Sequence, residues 1–133
     1  MSEKILEIKN LTYSFNTYGG TVKAVRDVSF SVNRGEILGI VGESGCGKSV
    51  TAQSILRLNP EPPGFSSSGE IIFNGKDLMK LPISELREIR GREIGFIFQD
   101  PMTSLNPTMK VGEQIAEVFH SRTDISKKDI RAK

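Results

Sequence analysis

The sequence predicts an α/β protein: a β-rich N-terminal part followed by a strand, a Gly-rich loop and a helix. Three observations predict it. Val28, Phe30 and Val32 alternate with polar residues, the period of a half-buried strand. An unbroken apolar run, "EILGIVG", leads straight into "GESGCGKS" and on into "KSVTAQSILRL". A second apolar run, "EIGFIFQD", follows a helix-like segment, and runs without alternation suit strands covered on both faces.

The elements follow in order. "KILEIKNLTYSF" and "VRDVSFSV" read as strands, with "TYGGT" as the loop between them and "NRG" as a turn. "EILGIVG" is the next strand. In "KSVTAQSILRL", Val50, Ile55 and Leu58 can share one helix face, and Pro60 limits its length. "NPEPPGFSSSG" holds Pro, Gly and Ser and reads as a surface loop. "EIIFNGKDL" predicts a hairpin, because Asn-Gly tolerates the positive φ of a two-residue turn. "PISELREIRG" is a short helix with Pro82 near its start and Gly91 near its end. "PMTSLNP" is a loop between Pro101 and Pro107. "KVGEQIAEVFH" is amphipathic, with Val111, Ile115, Val118 and Phe119 at helical spacing. Ser126 and Asp129 resemble the start of one more helix.

Composition narrows the function classes. The 133 residues suffice for one small domain with a core. Eighteen basic against 16 acidic side chains, a net charge of +2, do not suggest a nucleic-acid partner. Cys46 is the one cysteine, so no internal disulfide can form. The N-terminus lacks the apolar core of a signal peptide. No apolar run approaches the ~20 residues that cross a bilayer. The expected location is cytoplasmic, with any membrane role arising through a partner. His120 is the one histidine, and with no Cys or second His beside it a metal site on it is not expected.

The residues Gly42, Glu43, Ser44, Gly45, Cys46, Gly47, Lys48 and Ser49 fit G-x-x-x-x-G-K-S. Such a loop must hold a polyphosphate without burying unpaired charge. Glycines let backbone N–H groups approach oxygens closely. The following helix adds the positive end of its dipole. Lys48 is placed to reach the β- and γ-phosphates and the Ser49 hydroxyl to hold Mg²⁺. The motif needs a strand before it and a helix after it, and both are predicted here.

The motif alone names a superfamily. With "FNTYGGTVKAVRDVSFSVNRGEILGIVGESGCGKSVT", "SGEIIFNGKDL" and "IGFIFQDPMTSLNP", the chain resembles the ATP-binding subunits of ABC transporters. The string "IFQDPMTSLNPTMKVGEQI" is most similar to the oligopeptide, dipeptide and nickel importer branch. The resemblance implies a P-loop NTPase core of an ABC nucleotide-binding domain with an N-terminal antiparallel β subdomain. It puts the β subdomain at about residues 1–35 and 66–80 and the P-loop core at 36–65 and 92–100. Residues 101–133 hold the Q-loop and the start of the helical subdomain.

Roles follow position by position from the resemblance. Gly42 to Ser49 match the phosphate loop. Many relatives have Thr after the serine; here Val50 stands there, with Thr51 behind it, so a backbone N–H has to serve. Gln99 matches the Q-loop glutamine, whose amide reaches Mg²⁺ or the attacking water. The loop Asp100 to Pro107 matches the segment that meets membrane-spanning permease subunits. Phe15, or alternatively Tyr18, matches the aromatic residue that stacks on adenine. Implied ligands are ATP and Mg²⁺. Implied partners are the permease and a second ATP-binding subunit, with the whole held on the cytoplasmic face of the membrane.

No LSGGQ-like signature, Walker B Asp-Glu or switch histidine occurs in the sequence. The expectation is a fold truncated before those segments, binding nucleotide at most. A gap in the central sheet, unpaired apolar strand edges and self-association are expected with it. Two further readings stay open. One is a nucleotide-binding module, or nickel importer subunit, that does no chemistry in this chain. The other is a small-molecule kinase, opposed by the lack of a basic lid: "RLNPEPPGFSSSG" carries a single Arg.

Overall fold

A four-stranded antiparallel sheet forms first along the chain. The computed structural model describes residues 3–100 and 104–120. Strands β1 (Lys4–Thr17) and β2 (Gly20–Asn33) form a long hairpin turning at Tyr18 and Gly19. Helix α1 (Lys48–Ile55) follows, then β3 (Gly64–Phe73) and the short β4 (Lys76–Asp77). Helices α2 (Ile83–Ile89) and α3 (Val111–His120) complete the described elements. The sheet order is β2-β1-β3-β4. The chain divides into two compact units, Met1–Gly95 and Phe96–Lys133.

In the first unit, β1 is the central strand and is paired on both edges. Ile8 lies opposite Phe30 on β2 and Ile71 on β3. Ile8, Leu11, Tyr13, Val25, Ile71 and Phe73 are buried, as are Leu56, Leu78, Leu86 and Ile89 from the segments around α1 and α2. Each such aliphatic side chain contributes roughly 1.5–3 kcal/mol by leaving water. The expected half-buried face of Val28, Phe30 and Val32 is observed. The Asn-Gly hairpin is also present. Asn74 and Gly75, at φ 46° and 79°, turn β3 into β4, as a primed two-residue turn requires.

The end of α1 is set by a backbone motif. Leu58 N–H donates to Gln53 O and Arg57 N–H to Ser54 O, with Arg57 at φ 50°. This is a Schellman closure built on an arginine instead of glycine. Arg57 donates from its guanidinium to Leu81 O at 3.0 Å, ahead of α2. Arg90, just past α2, donates back to Leu56 O at 2.7 and 3.0 Å and to Arg57 O at 2.9 Å. Two arginines thus tie the C-terminal end of α1 to both ends of α2. Burial lowers the Arg90 pKa, and the neighbouring Arg57 and Arg87 add to it.

Two expectations are corrected. Residues 64–68, expected in a loop, open β3 and pair with β1, Phe65 opposite Ser14 and Ser68 opposite Thr12. Their Gly/Ser composition reads as loop, but the ladder to β1 needs only backbone groups. The apolar runs "EILGIVG" (36–42) and "EIGFIFQD" (93–100), expected as buried strands, belong to no strand, although Ile94 makes one isolated bridge to Arg90. Ile37, Val41 and Ile97 are 98%, 95% and 97% exposed. A strand exists through its ladder, and among the described residues these runs join no ladder beyond that single bridge. The helix start expected at Ser126 lies outside the described residues.

In the second unit, α3 forms where its periodicity predicts, with Val111, Ile115, Val118 and Phe119 exposed. The loop before it is held by one side chain. Gln114 accepts from Asn106 N–H at 2.9 Å and donates to Asn106 O and Met109 O at 2.8 and 3.0 Å.

Candidate functional site

The Gly-rich loop enters α1 through Gly47, whose φ is 95°. A Cβ at Gly47 would collide with the carbonyl oxygen of Ala24 on β2. The position therefore needs glycine twice, for its left-handed backbone and for the close approach. A Cβ at Gly42 would lie 2.7 Å from Cys46 Sγ, so the loop closes on itself over that glycine. Between them, Cys46 N–H donates to Glu43 O at 3.3 Å and Gly45 stands at φ 80°.

Lys48 folds back across this loop. Its Nζ donates to Gly42 O at 2.7 Å and Glu43 O at 2.6 Å, with Cys46 Sγ at 3.5 Å. The ammonium is thereby held at the loop's rim by two carbonyl oxygens. The backbone N–H groups of Ser44, Gly45, Gly47, Lys48, Ser49 and Val50 donate to no acceptor among the described residues. The first turn of any helix leaves such donors free. Here the loop adds more of them, on the positive end of the helix dipole. The result is a cluster of neutral donors and one cation over about nine residues, an arrangement able to receive an anion.

Ser49 is exposed in the first turn of α1. Thr51 is buried, and its hydroxyl donates to Gly47 O at 2.9 Å. It therefore does not replace the hydroxyl that Val50 lacks. Val50 is half-buried and contributes its N–H. Its carbonyl accepts from Ser54 Oγ at 2.7 Å and Asn59 Nδ2 at 3.1 Å, which fixes this helix against the following turn.

Phe15 lies on β1 in the same unit, opposite Val22 and Gly64, and is half-buried. Tyr13 packs against it in an edge-to-face pair, 5.3 Å between ring centroids. Tyr18 is at the tip of the hairpin, fully exposed. Gln99 is exposed in the second unit. Of the loop Asp100 to Pro107, residues 101–103 lie outside the described set. Three neighbours of the site escaped the sequence reading. They are Ala24 against Gly47, Tyr13 against Phe15, and Glu61, which accepts from Tyr13 OH at 3.0 Å. No motif marks them, because each is a contact across strands or loops.

The family model described as ABC transporter matches residues 25–133. The chain belongs to the ABC transporter family. It is 60% identical over 124 residues to the oligopeptide transport ATP-binding protein OppD of Bacillus subtilis (strain 168), which covers 93% of this chain and 35% of that protein. It is 54% identical over 129 residues to the dipeptide transport ATP-binding protein DppD of the same organism, covering 97% and 38%. The chain therefore spans little more than a third of the length of these relatives. Among solved structures it is similar to the ATP-binding cassette MJ0796 in a dimeric post-hydrolysis state bound to ADP and Pi. That match has a TM-score of 0.75 and 27% identity, over 96% of this chain and 53% of that one. The P-loop cassette fold expected from the sequence is thus the fold of the family.

Proposed function

We propose that this chain carries the nucleotide-binding loop of the ATP-binding subunit of a peptide importer, in which binding and hydrolysis of MgATP drive transport through membrane partners. The observation that carries the reading is the cluster of N–H donors of Ser44, Gly45 and Gly47 to Val50, without an acceptor among the described residues, with the Lys48 ammonium across its mouth. The names of the relatives, oligopeptide and dipeptide transport proteins, supply the substrate class.

In this reading the amides bind the phosphate oxygens, and Lys48 exchanges at least one carbonyl partner for the β- and γ-phosphates. Val50 serves through its backbone N–H. Cys46, exposed at the loop, lies close enough to the phosphates for bound ATP to shield it from a thiol reagent. Phe15 offers its ring to adenine. The exposed Ser49 hydroxyl suits one oxygen ligand of Mg²⁺. No cluster of three or more His, Cys, Asp or Glu occurs among the described residues. When bound, that ion neutralises charge between the phosphates.

The remaining functions are those of the whole subunit. The loop Asp100 to Pro107 meets the permease subunits, and a second ATP-binding subunit completes the nucleotide site. Attachment to the cytoplasmic face through the permease belongs to the same proposal; no described helix is long and apolar enough to cross a membrane. The test is a MgATP titration of this chain beside Lys48→Ala. Wild-type binding with a loss of about 10-fold or more in the variant is expected, the worth of a charge-assisted hydrogen bond. Equal affinity in both would refute the reading.

A further inference from the structure

We propose that Tyr13 is a positioning residue for nucleotide base recognition, anchored by Glu61 and holding the ring of Phe15 at the angle that base stacking needs. The proposal rests on the nucleotide-binding reading above and extends it to residues that no motif marks.

Tyr13 is buried to 2% exposure in the middle of β1. Its ring packs against that of Phe15 in an edge-to-face pair, 5.3 Å between centroids with 62° between the planes. An edge-to-face pair is directional, because the positive ring edge seeks the negative face. A change in the tilt of one ring therefore moves the other. The tilt of Tyr13 is fixed at its far end. Its hydroxyl donates to Glu61 Oε1 at 3.0 Å, a contact between residues 48 positions apart.

Gly64 provides the space for this. It lies opposite Phe15 on β3, and a Cβ there would stand 2.6 Å from the Tyr13 hydroxyl and 2.8 Å from its ring. The tyrosine leans into the volume that a side chain would take. The loop bearing Glu61 is itself sewn to this rung. Asn16 N–H donates to Pro63 O and Gly64 N–H to Pro60 O, both at 2.9 Å. Burial, followed by the Glu61 carboxylate, pushes the Tyr13 phenol up, so the donated proton stays in place at neutral pH.

The brace also touches the phosphate side of the site. Gly47 abuts the Ala24 carbonyl, and Ala24 falls between Val25, opposite Tyr13, and Lys23, opposite Ser14. The entry to α1 therefore rests on the sheet at the level where Tyr13 starts, and Phe15 lies two residues further along the same strand. A base held on Phe15 and phosphates held at Gly42 to Ser49 are referenced to one piece of β sheet.

Titration with two ligands separates the roles. MgATP presents a base and phosphates; inorganic tripolyphosphate with Mg²⁺ presents phosphates alone. Phe15→Ala is expected to weaken MgATP by about 5-fold or more while tripolyphosphate changes less than about 2-fold. Tyr13→Leu, which removes the ring, is expected to weaken MgATP by about 3- to 10-fold with the same sparing of tripolyphosphate. Tyr13→Phe and Glu61→Gln keep the ring and alter the anchor, and should fall between Tyr13→Leu and wild type. Tripolyphosphate binding doubles as the check that each variant is folded. Tyr13→Leu binding both ligands like wild type, or losing both alike, overturns the proposal. Failure of the wild-type chain to bind tripolyphosphate refutes the nucleotide-binding reading itself, and the brace falls with it.

Discussion

Gly47 and Tyr13 show how little side-chain volume separates a working loop from a blocked one. Gly47→Ala adds one methyl in a left-handed backbone position and drives it into the Ala24 carbonyl. The backbone penalty alone is about 1–2 kcal/mol, and the collision adds to it. Faster amide exchange at α1 and loss of MgATP binding are expected; unchanged exchange would show that the loop has another way to close. Tyr13 makes a second, pH-linked prediction. Its folded pKa is raised by burial first and by Glu61 second. The stability tied to its proton is therefore whole below about pH 10, the ordinary tyrosine value, and is lost as pH rises above that. While folded at about pH 11, the wild-type and Tyr13→Phe chains should show the same tyrosinate absorbance. Extra tyrosinate in the folded wild-type chain would contradict the buried Tyr13.

At the scale of elements, legibility depended on whether the deciding contacts were local. The loop from Gly42 to Ser49 was readable because its glycines, lysine and serine are contiguous. So was the Asn74–Gly75 turn, whose positive φ values are intrinsic to those residue types. Residues 64–68 were not readable, since their strand exists only through backbone pairing with β1. The runs at 36–42 and 93–100 have strand composition, but strand geometry needs a ladder, and among the described residues only Ile94 finds a bridge partner. The Tyr13–Glu61 pair joins positions that no periodicity relates. The tie between α1 and α2 was equally hidden and is testable. Arg90 makes three hydrogen bonds to Leu56 and Arg57 carbonyls that the end of α1 leaves open. Arg90→Ala should destabilise this region by about 1.5–3 kcal/mol, the worth of hydrogen bonds from a charged donor. Arg90→Lys should recover only part, because one ammonium cannot reproduce the guanidinium fork. Hydrogen exchange in the last turn of α1 measures both, and equal protection in all three chains would contradict the tie.

For the whole molecule, surface chemistry sets behaviour in solution. Ile37, Val41 and Ile97 stand almost fully exposed in apolar runs, and unpaired extended apolar segments template association. Sedimentation at increasing concentration should show self-association of this chain, reduced in Ile37→Lys/Val41→Glu. A monodisperse monomer at high concentration would contradict it. The same scale relates the cassette to its longer relatives, since the chain covers about a third of OppD and DppD.

The most direct measurement is residue-resolved amide exchange of Ser44 to Val50 with and without saturating MgATP, in wild-type and Lys48→Ala chains. Apart from that of Cys46, which donates to Glu43 O, those amides have no acceptor among the described residues. They should gain about 10-fold or more protection with nucleotide, and only in the wild type. Exchange that stays fast with MgATP present, or slows elsewhere but not at this loop, would contradict the account.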